Sequence, residues 1–224
     1  MTAEPIPLQV EETSKSVIYR RLRRSIIMGH RASGERLNVE QIAGEYNTSV
    51  TPVRDALQML SHEGLVDIKP RSGYFVRSIT LKQLRDMLDV RRVLELTAVE
   101  RAALRATEEQ IQEMSQVHSG YTGDDDESYD RYTDENRRFH YLLASASGNY
   151  ELAEMVASMH DRLARFMVMR RAGKTMEATH ARIITALREH DVETARQCLL
   201  DDIDRAHEAI LDSVMEDDAN TWQL

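Results

Sequence analysis

Several polar side chains fall on helix faces that the apolar pattern directs inward. From Leu84 onward, apolar residues recur every three or four positions, and Arg91 and Glu95 lie on the same inner stripe. Later segments place two histidines, an amide and a carboxylate at equivalent positions. The inward polar residues are Arg91, Glu95, Asn136, His140, His180 and Asp202. Because an unpaired buried charge is costly, these nitrogen and oxygen donors predict a site for a divalent metal ion or a bound acid.

Each of these residues also has a purely structural explanation. An inward histidine is more often a core residue with satisfied hydrogen bonds, and Arg91 and Glu95 can form an ion pair one helical turn apart. The occurrence of such groups on four predicted helices favours a ligand site. A metal-dependent hydrolase would also use histidines and acids, which can activate water. Nothing in the sequence identifies a general base beside an open coordination position, so we predict that the protein is not an enzyme.

Residues 79–224 predict an all-helical domain that positions these groups. No proline follows Thr80, few glycines interrupt the pattern, and strand-like alternation is absent. The acidic segment YTGDDDESYD predicts a solvated loop, because it lacks the alternating ligands and closing glutamate of an EF-hand. The predicted helices lie near residues 81–106, 108–118, 128–147, 150–171, 176–189 and 191–214.

The segment NTSVTPVRDALQML predicts a helix that begins close to Pro52. Proline has no backbone N–H, and the first turn of a helix leaves these groups unpaired in any case. Ser49 or Thr51 can cap this start. The apolar positions Val53, Ala56, Leu57 and Leu60 share one face. The residues left facing outward are Thr51, Arg54, Asp55 and Gln58.

The elements around this helix predict a helix-turn-helix with a β-wing. A helix near residues 14–28 and a second helix in NVEQIAGEYN precede it, and the turn at Asn47 and Thr48 is very short. Residues 65–68 and 74–77 then predict two strands joined by the turn KPRSG.

The resulting fold class is mainly α. A flexible arm at residues 1–13 precedes an N-terminal winged helix-turn-helix with a small β-wing at residues 14–78. A C-terminal all-α helical bundle, predicted to bind an effector and to dimerise, occupies residues 79–224.

Composition and charge indicate a cytoplasmic protein with one basic part. The single cysteine, Cys198, excludes an intramolecular disulfide framework, and neither a secretory signal nor an apolar run of about 18 residues is evident. Residues 1–78 carry 11 Lys and Arg against 9 Asp and Glu, whereas the remaining residues carry 18 against 29. The N-terminal part can therefore bind a polyanion although the formal net charge of the whole chain is −9.

A projecting helix beside a wing predicts double-stranded DNA as the polyanion. Thr51 and Arg54 could reach base edges in the major groove, and Lys69 and Arg71 of the wing could contact the backbone or a neighbouring groove. Arg54 is the strongest candidate. Its alternative role is an ion pair with a neighbouring acid such as Asp55 or Glu63.

The segment SGERLNVEQIAGEYNTSVTPVRDALQMLSHEGLVDIKPRSGYFV closely resembles the N-terminal winged helix of GntR-family bacterial transcription regulators, above all in its TPVRxALxxLxxEGL pattern. Val50 and Glu40 stand where family members can carry DNA-contacting arginines, so the resemblance leaves the operator sequence open. Together with the outward-facing Gln58, the resemblance implies a DNA-binding set of Ser49, Thr51, Arg54, Gln58, Lys69 and Arg71.

The remaining residues resemble the all-helical FCD-type effector domain of the FadR subfamily, in the segments DVRRVLELTAVERAA, NRRFHYLLASASGN and THARIITALREHDVETAR. In many members an Asp, a His four residues later and two further His hold a divalent metal that helps to bind a small organic acid. This implies metal ligands at Asn136, His140, His180 and Asp202, two of which depart from the family pattern, with zinc, nickel or manganese as the ion. Arg91 could bind a ligand carboxylate beside Glu95, whereas His207 is a poorer substitute for Asp202.

Together these observations predict a ligand-responsive regulator, most simply a repressor, that binds a palindromic operator as a homodimer. Effector binding in the helical domain would change the placement of the winged helices and release DNA. The sequence equally allows activation. The alternatives are a metal sensor without an organic ligand and, less favoured, a metal-dependent hydrolase.

Overall fold

The computed structural model describes residues 14–118, 123, 125–169 and 173–221. The arm predicted at residues 1–13 lies outside this range. The described chain is mainly α-helical with one small antiparallel sheet, which confirms the predicted fold class. None of the described helices is long and apolar enough to cross a membrane.

The N-terminal part is a three-helix unit with a sheet at its edge. Its apolar core joins the buried faces of the three helices, for example at Ile18, Ile42 and Leu57. The strands are ordered β1-β3-β2, with Arg36 opposite Phe75 and Asp67 on the other side of Phe75. The elements are α1 (Ser14–Ile27), β1 (Arg36–Leu37), α2 (Val39–Glu45), α3 (Val50–His62), β2 (Val66–Lys69) and β3 (Gly73–Val76).

The start of α3 and the first strand differ from the sequence-based expectation. Helix α3 begins at Val50, so Pro52 is its third residue and still lies in the first turn, where no intrahelical N–H bond is needed. Ser49 is the N-cap residue but its side chain makes no capping hydrogen bond. Strand β1 was not predicted, because two residues with only Leu37 buried are too short to show a period.

The C-terminal part is entirely helical in the described residues. Capping boxes pair Thr80 with Gln83 and Thr107 with Gln110, and these fix the starts of the first two helices. The largest apolar core contains Val99, Phe139, Ile183 and Leu199. The helices are α4 (Leu81–Arg105), α5 (Glu108–Ser115), α6 (Asp126–Ala146), α7 (Tyr150–Met169), α8 (Gly173–Arg188) and α9 (Val192–Thr221).

The loop predicted for YTGDDDESYD is wrong from Asp126 onward. Asp125 caps α6 through a 2.8 Å hydrogen bond from the backbone N–H of Ser128. Acidic residues in the first turn, here Asp126 and Glu127, are favourable because they face the positive end of the helix dipole. Residues 121, 122 and 124 of this segment lie outside the described range.

The two parts of the chain contact each other mainly through α1 and α7. Ala164 of α7 belongs to the same apolar core as Ile18 and Leu22 of α1, and Val168 packs against its edge. Polar groups flank this apolar contact on the side where α6 also approaches α1. The N-terminal unit therefore rests directly on a helix of the C-terminal bundle.

Candidate functional site

The inward polar residues meet in the middle of the helical bundle. The side chains of α4, α6, α8 and α9 bring them together, and at most 3% of any of them is exposed. The prediction that they point inward is confirmed. The six residues are Arg91, Glu95, Asn136, His140, His180 and Asp202.

His140 lies between two groups of potential ligands. Its Nδ1 atom is 2.9 Å from Oε2 of Glu95, and its Nε2 atom is 3.8 Å from Oδ2 of Asp202. Within the group of His140, His180 and Asp202, one ligand atom from each residue lies within 4.8 Å of the others, and the same holds for Glu95, His140 and His160. The two ring nitrogens of His140 therefore face two different carboxylates.

Glu95 is a buried anion with several hydrogen-bonding partners. Arg91 Nε donates to Oε1 of Glu95 at 2.7 Å, and His160 Nε2 lies 2.7 Å from the same oxygen. Burial alone would raise the pKa of Glu95, but the charge of Arg91 and the neighbouring His140 outweigh burial and hold this pKa well below its usual range. Glu95 is thus suited to accept a hydrogen bond from the Nδ1–H group of His140 and so to orient the ring.

His180 and Asn136 each leave one polar atom without a hydrogen-bond partner among the described residues. His180 Nδ1 lies 2.7 Å from Nε2 of His118, whose Nδ1 is 3.5 Å from Glu135, while Nε2 of His180 has no partner. The Nδ2 atom of Asn136 lies 3.3 Å from Nδ1 of His160, while its Oδ1 has no partner.

This donor set fits a divalent metal ion. Buried polar atoms are nearly always paired, so the two unpaired atoms of His180 and Asn136 require an explanation, and a bound cation supplies one. His140, His180 and Asp202 bring one ligand atom each within 4.8 Å of one another, and Asn136, one turn before His140 on α6, adds an amide oxygen as a further candidate donor. Zinc, nickel and manganese all accept nitrogen and oxygen ligands.

Burial keeps His180 and His160 neutral, as metal ligands and their partners must be. Burial and the neighbouring His140 hold the pKa of His180 well below its usual value, and the same causes lower the pKa of His160 to about 3. A neutral His160 can donate from Nε2 to Glu95 and accept at Nδ1 from Asn136. This arrangement turns Oδ1 of Asn136 away from His160.

The pKa of His160 makes the stability of the metal-free protein pH-dependent. In the unfolded chain His160 binds a proton below about pH 6.5, whereas in the folded chain it stays neutral down to about pH 3. His160 alone should therefore lower the free energy of unfolding by about 1.4 kcal/mol per pH unit as the pH drops below about 6.5. Urea titrations in EDTA between pH 7 and 5 measure this slope. His160→Gln retains a donor for Glu95 and should make the slope shallower; an unchanged slope would contradict the assignment.

Arg91 is already engaged inside the pocket. Besides its bond to Glu95, its Nη1 lies 3.8 Å from the sulfur of Met167, and its Nη2 lies 3.9 Å from Oδ2 of Asp202. The ion pair within α4 that the sequence allowed is therefore present. Its Nη2 atom nevertheless has no hydrogen-bond partner among the described residues, so this part of the guanidinium is the one available to a carboxylate ligand.

The residues predicted to bind DNA are all exposed. Thr51, Arg54 and Gln58 lie on α3, Ser49 is the N-cap residue of α3, and Lys69 and Arg71 lie at the tip of the wing. Among the described residues Arg54 makes no ion pair, and Glu63, one of its suggested partners, pairs with Arg23 at 3.4 Å.

A basic groove separates the start of α3 from the wing. It has a volume of about 460 Å³ and is lined by Arg54, Lys69, Arg71 and a further arginine, Arg36, which the sequence analysis did not select. Arg71 has a φ of 60°, a conformation that glycine adopts without strain. The wing thus keeps an arginine side chain where the backbone alone would favour glycine.

Comparison with known proteins identifies both parts of the chain. Residues 14–76 match the family described as "Bacterial regulatory proteins, gntR family", and residues 86–205, more than half of the chain, match the FCD domain. This chain belongs to the GntR family. It is therefore a DNA-binding transcription regulator with an FCD effector domain.

Relatives of this GntR protein include the HTH-type transcriptional repressor RspR of Escherichia coli, which is 27% identical over 199 residues, covering 86% of this chain and 87% of RspR. The Nta operon transcriptional regulator of Aminobacter aminovorans is 33% identical over 138 residues, covering 60% of this chain and 64% of that protein. Among solved structures, E. coli McbR/YncC superposes with a TM-score of 0.67 at 21% identity, covering 92% of this chain and 99% of that one, which supports the fold alone. These relatives and fold neighbours are transcription regulators rather than enzymes.

Sequence reasoning missed three residues that surround the metal-ligand candidates of this GntR protein. His160 follows Ala153 and Val156 on the inward stripe of α7, so the helical period could have revealed it. His118 follows the end of α5, where no period applies. Glu135 immediately precedes Asn136 and turns toward His118 only because α5 and α6 pack together.

Proposed function

We propose that this GntR protein is a repressor that binds a palindromic operator as a homodimer and releases it when a divalent metal and a small organic acid occupy the helical bundle. Residues 14–78 would read DNA in the cytoplasm, and residues 79–224 would sense the ligand and dimerise. The observation that carries this proposal is the buried group of His140, His180 and Asp202, whose ligand atoms lie within 4.8 Å of one another, together with the unpaired Nε2 of His180 and Oδ1 of Asn136 among the described residues.

The proposed metal ligands are Asn136, His140, His180 and Asp202. Each of the first three has its own outer partner, which holds the donor atom in place: His160 for Asn136, Glu95 for His140 and His118 for His180. A bound metal ion supplies positive charge that can attract the carboxylate of an organic acid. Zinc, nickel and manganese are the candidate ions.

One observation favours a second candidate, a metal sensor without an organic ligand. Arg91, the residue expected to bind a ligand carboxylate, contacts Glu95 and lies close to Asp202. Thermal unfolding with zinc alone, and with zinc plus a panel of small carboxylic acids, separates the two candidates. An additional shift with one acid supports the organic-acid sensor, whereas the zinc shift alone supports the metal sensor.

The proposed DNA contact depends most on Arg54. This side chain is exposed, free of ion pairs among the described residues, and placed on α3 beside the basic groove. A bidentate contact to guanine contributes about 1–3 kcal/mol of discrimination, so Arg54→Ala should weaken specific binding by roughly 10- to 100-fold. The duplex is first selected from a random pool with the wild-type protein, and affinities are then measured by fluorescence anisotropy.

Arg101→Ala is the matched control for this experiment, because Arg101 is an exposed arginine in the effector part. It should leave the affinity unchanged. Equal affinities for wild type and Arg54→Ala would remove Arg54 from the reading surface. Failure of the wild type to prefer any duplex would overturn the proposed operator binding as a whole.

Exposed apolar residues support a dimer that uses α4. Val90, Val93 and Leu104 recur along one face of this helix and are 44%, 66% and 68% exposed. Isolated exposed apolar residues are common, but a stripe along one helix is typical of a partner surface. Two such subunits could place their α3 helices in successive major grooves, about 34 Å apart.

Val93→Glu should convert the dimer to a monomer, because it places one charge from each subunit in the shared apolar surface. Light scattering after size-exclusion chromatography measures the mass. Val93→Ala, which keeps the surface apolar, should remain dimeric. A dimeric Val93→Glu protein would show that another surface holds the subunits together.

A further inference from the structure

One buried arginine joins the end of the DNA-reading helix to the helices that line the effector pocket. Arg23 belongs to α1, and its side chain is only 9% exposed. It lies 3.4 Å from Glu63, the C-cap residue of α3, and 2.9 Å from Asp134 of α6. Its Nη2 atom is 3.8 Å from Asp161 of α7. A single guanidinium therefore contacts carboxylates at the end of α3, on α6 and on α7.

The carboxylates outnumber the cations around Arg23. Asp130 lies 4.0 Å from the guanidinium, and Tyr19 donates a hydrogen bond to Glu63. Burial raises the pKa of Glu63 and of Asp130, and the charge of Asp134 adds to the second effect. Arg23 thus lies among carboxylates that would otherwise repel one another. If one carboxylate moves, the contacts of Arg23 with the other carboxylates change as well.

Helices α6 and α7 contact each other both on the side of the candidate metal site and on the side that faces α1. Inside the pocket, Asn136 of α6 contacts His160 of α7. Immediately next to these residues in sequence, Arg137 binds Asp161 through two hydrogen bonds of 2.6 and 3.0 Å. Because successive helical residues point in directions about 100° apart, one contact faces the ligand site and the other faces α1.

We infer that Arg23 and Asp161 are positioning residues that transmit occupancy of the pocket to the DNA-reading helix. This inference rests on the proposed function. Occupation of a site that includes Asn136 would act on α6 where Asn136 contacts His160. A shift of α6 against α7 at this point would change the adjacent Arg137–Asp161 contact, and with it the contacts of Arg23. Because Arg23 also contacts Glu63 at the end of α3, the position of α3 would change as well.

The apolar contact between α1 and α7 is less suited to this role. Ala164 and Val168 pack without directional preference, so small displacements leave them in similar contact. Hydrogen-bonded ion pairs have defined geometries, and a guanidinium shared among several acids has discrete alternatives. A small movement of α6 or α7 can therefore switch these ion pairs from one discrete set of contacts to another.

The test compares the DNA affinity of zinc-free and zinc-loaded full-length protein for the duplex selected with the wild type. The wild-type affinity ratio should fall within the usual range of allosteric coupling, about 5- to 150-fold. Arg23→Gln should lower this ratio to below about twofold while zinc still binds in calorimetry. Arg23→Lys keeps the charge and should recover part of the ratio, which a merely structural role would not require.

Two further variants keep the inference falsifiable if Arg23→Gln is unstable. Asp134→Asn changes a residue that is 60% exposed and should at least halve the ratio. Arg196→Gln is the matched control, because it removes a 2.8 Å ion pair with Glu100 inside the effector part, and it should leave the ratio unchanged.

The outcomes separate this inference from the proposed function. Wild-type ratios retained by both Arg23→Gln and Asp134→Asn would overturn the inference alone. If Arg196→Gln lowered the affinity ratio as much as Arg23→Gln, the inference would also be overturned, because the effect would then not depend on the ion pairs of Arg23. Two results for the wild type would overturn the proposed gating and this inference together. One is that it binds no zinc, and the other is that it binds zinc but its DNA affinity is the same with and without zinc.

Discussion

Glu95→Gln should destabilise the metal-free protein by about 3–5 kcal/mol, the usual cost of removing one partner from a buried ion pair. Glu95 is 2% exposed and is the anion that pairs with Arg91, His140 and His160. The substitution keeps the size of the side chain, so the loss reflects charge rather than a cavity. Without the carboxylate, the guanidinium of Arg91 remains buried, and the more distant Asp202 is its one remaining counter-charge among the described residues.

Glu100→Gln is the control for this experiment. Glu100 lies on the same helix and forms an ion pair with Arg196, but both side chains are more than one third exposed. Exposed ion pairs contribute about 0–1 kcal/mol, so this variant should remain close to wild type in urea unfolding. Equal stabilities for the two variants would mean that Arg91 finds another partner or water, and that Glu95 does not anchor the pocket.

The double variant Arg91→Met, Glu95→Gln tests the cause directly. If the cost of Glu95→Gln comes from leaving Arg91 unpaired, removing the guanidinium as well should recover part of the lost stability. If the double variant is as unstable as the sum of the single variants, the two side chains act independently. Urea unfolding of the four proteins completes this cycle.

Much of the fold follows from periodicity along the sequence. The helices of the effector part bury apolar residues every three or four positions, and the polar residues on those stripes could be placed inside before any coordinates were known. The ends of the helices and strands were harder to predict, because they depend on local contacts. Asp125 extends α6 into an acidic segment that by composition predicts a loop, and β1 exists only because β3 lies beside it.

The pairing inside the site could not be read from the sequence. Periodicity indicates that Asn136 and His140 face inward, but not that Asn136 meets His160 from α7 or that His180 meets His118 beyond α5. These contacts depend on how the helices pack against one another. For the same reason, the sequence left Arg91 open to two roles, and only the packed structure shows its contact with Glu95.

The outer contacts matter because two of the ligand candidates depart from the family pattern. Asn136 offers a neutral oxygen and Asp202 a charged one, so the positions of their donor atoms depend on the surrounding side chains. The Nδ2 group of Asn136 contacts Nδ1 of His160, so the Oδ1 atom of the same amide points away from this histidine. Of the four candidate ligands only the Asn136 amide is untypical of zinc sites, so its orientation by His160 matters most.

The largest expected effect on ligand binding is in His180→Ala. This variant removes a nitrogen donor whose Nε2 atom has no other partner among the described residues. Loss of an outer partner typically lowers metal affinity about 10- to 100-fold, so loss of a direct ligand should lower zinc affinity by more than about 100-fold. Competition with a zinc-binding dye measures the affinity, and His62→Ala, at an exposed site on α3, is the control.

His118 should have the smaller effect of an outer partner. For Nε2 of His180 to bind a metal, the proton of the ring must lie on Nδ1, and Nε2 of His118 at 2.7 Å is placed to accept it. His118→Ala should therefore lower zinc affinity about 10- to 100-fold. His118→Gln, which retains an acceptor, should lose less. Wild-type affinity in His118→Ala would show that the tautomer of His180 is set elsewhere, whereas wild-type affinity in His180→Ala would exclude His180 as a ligand.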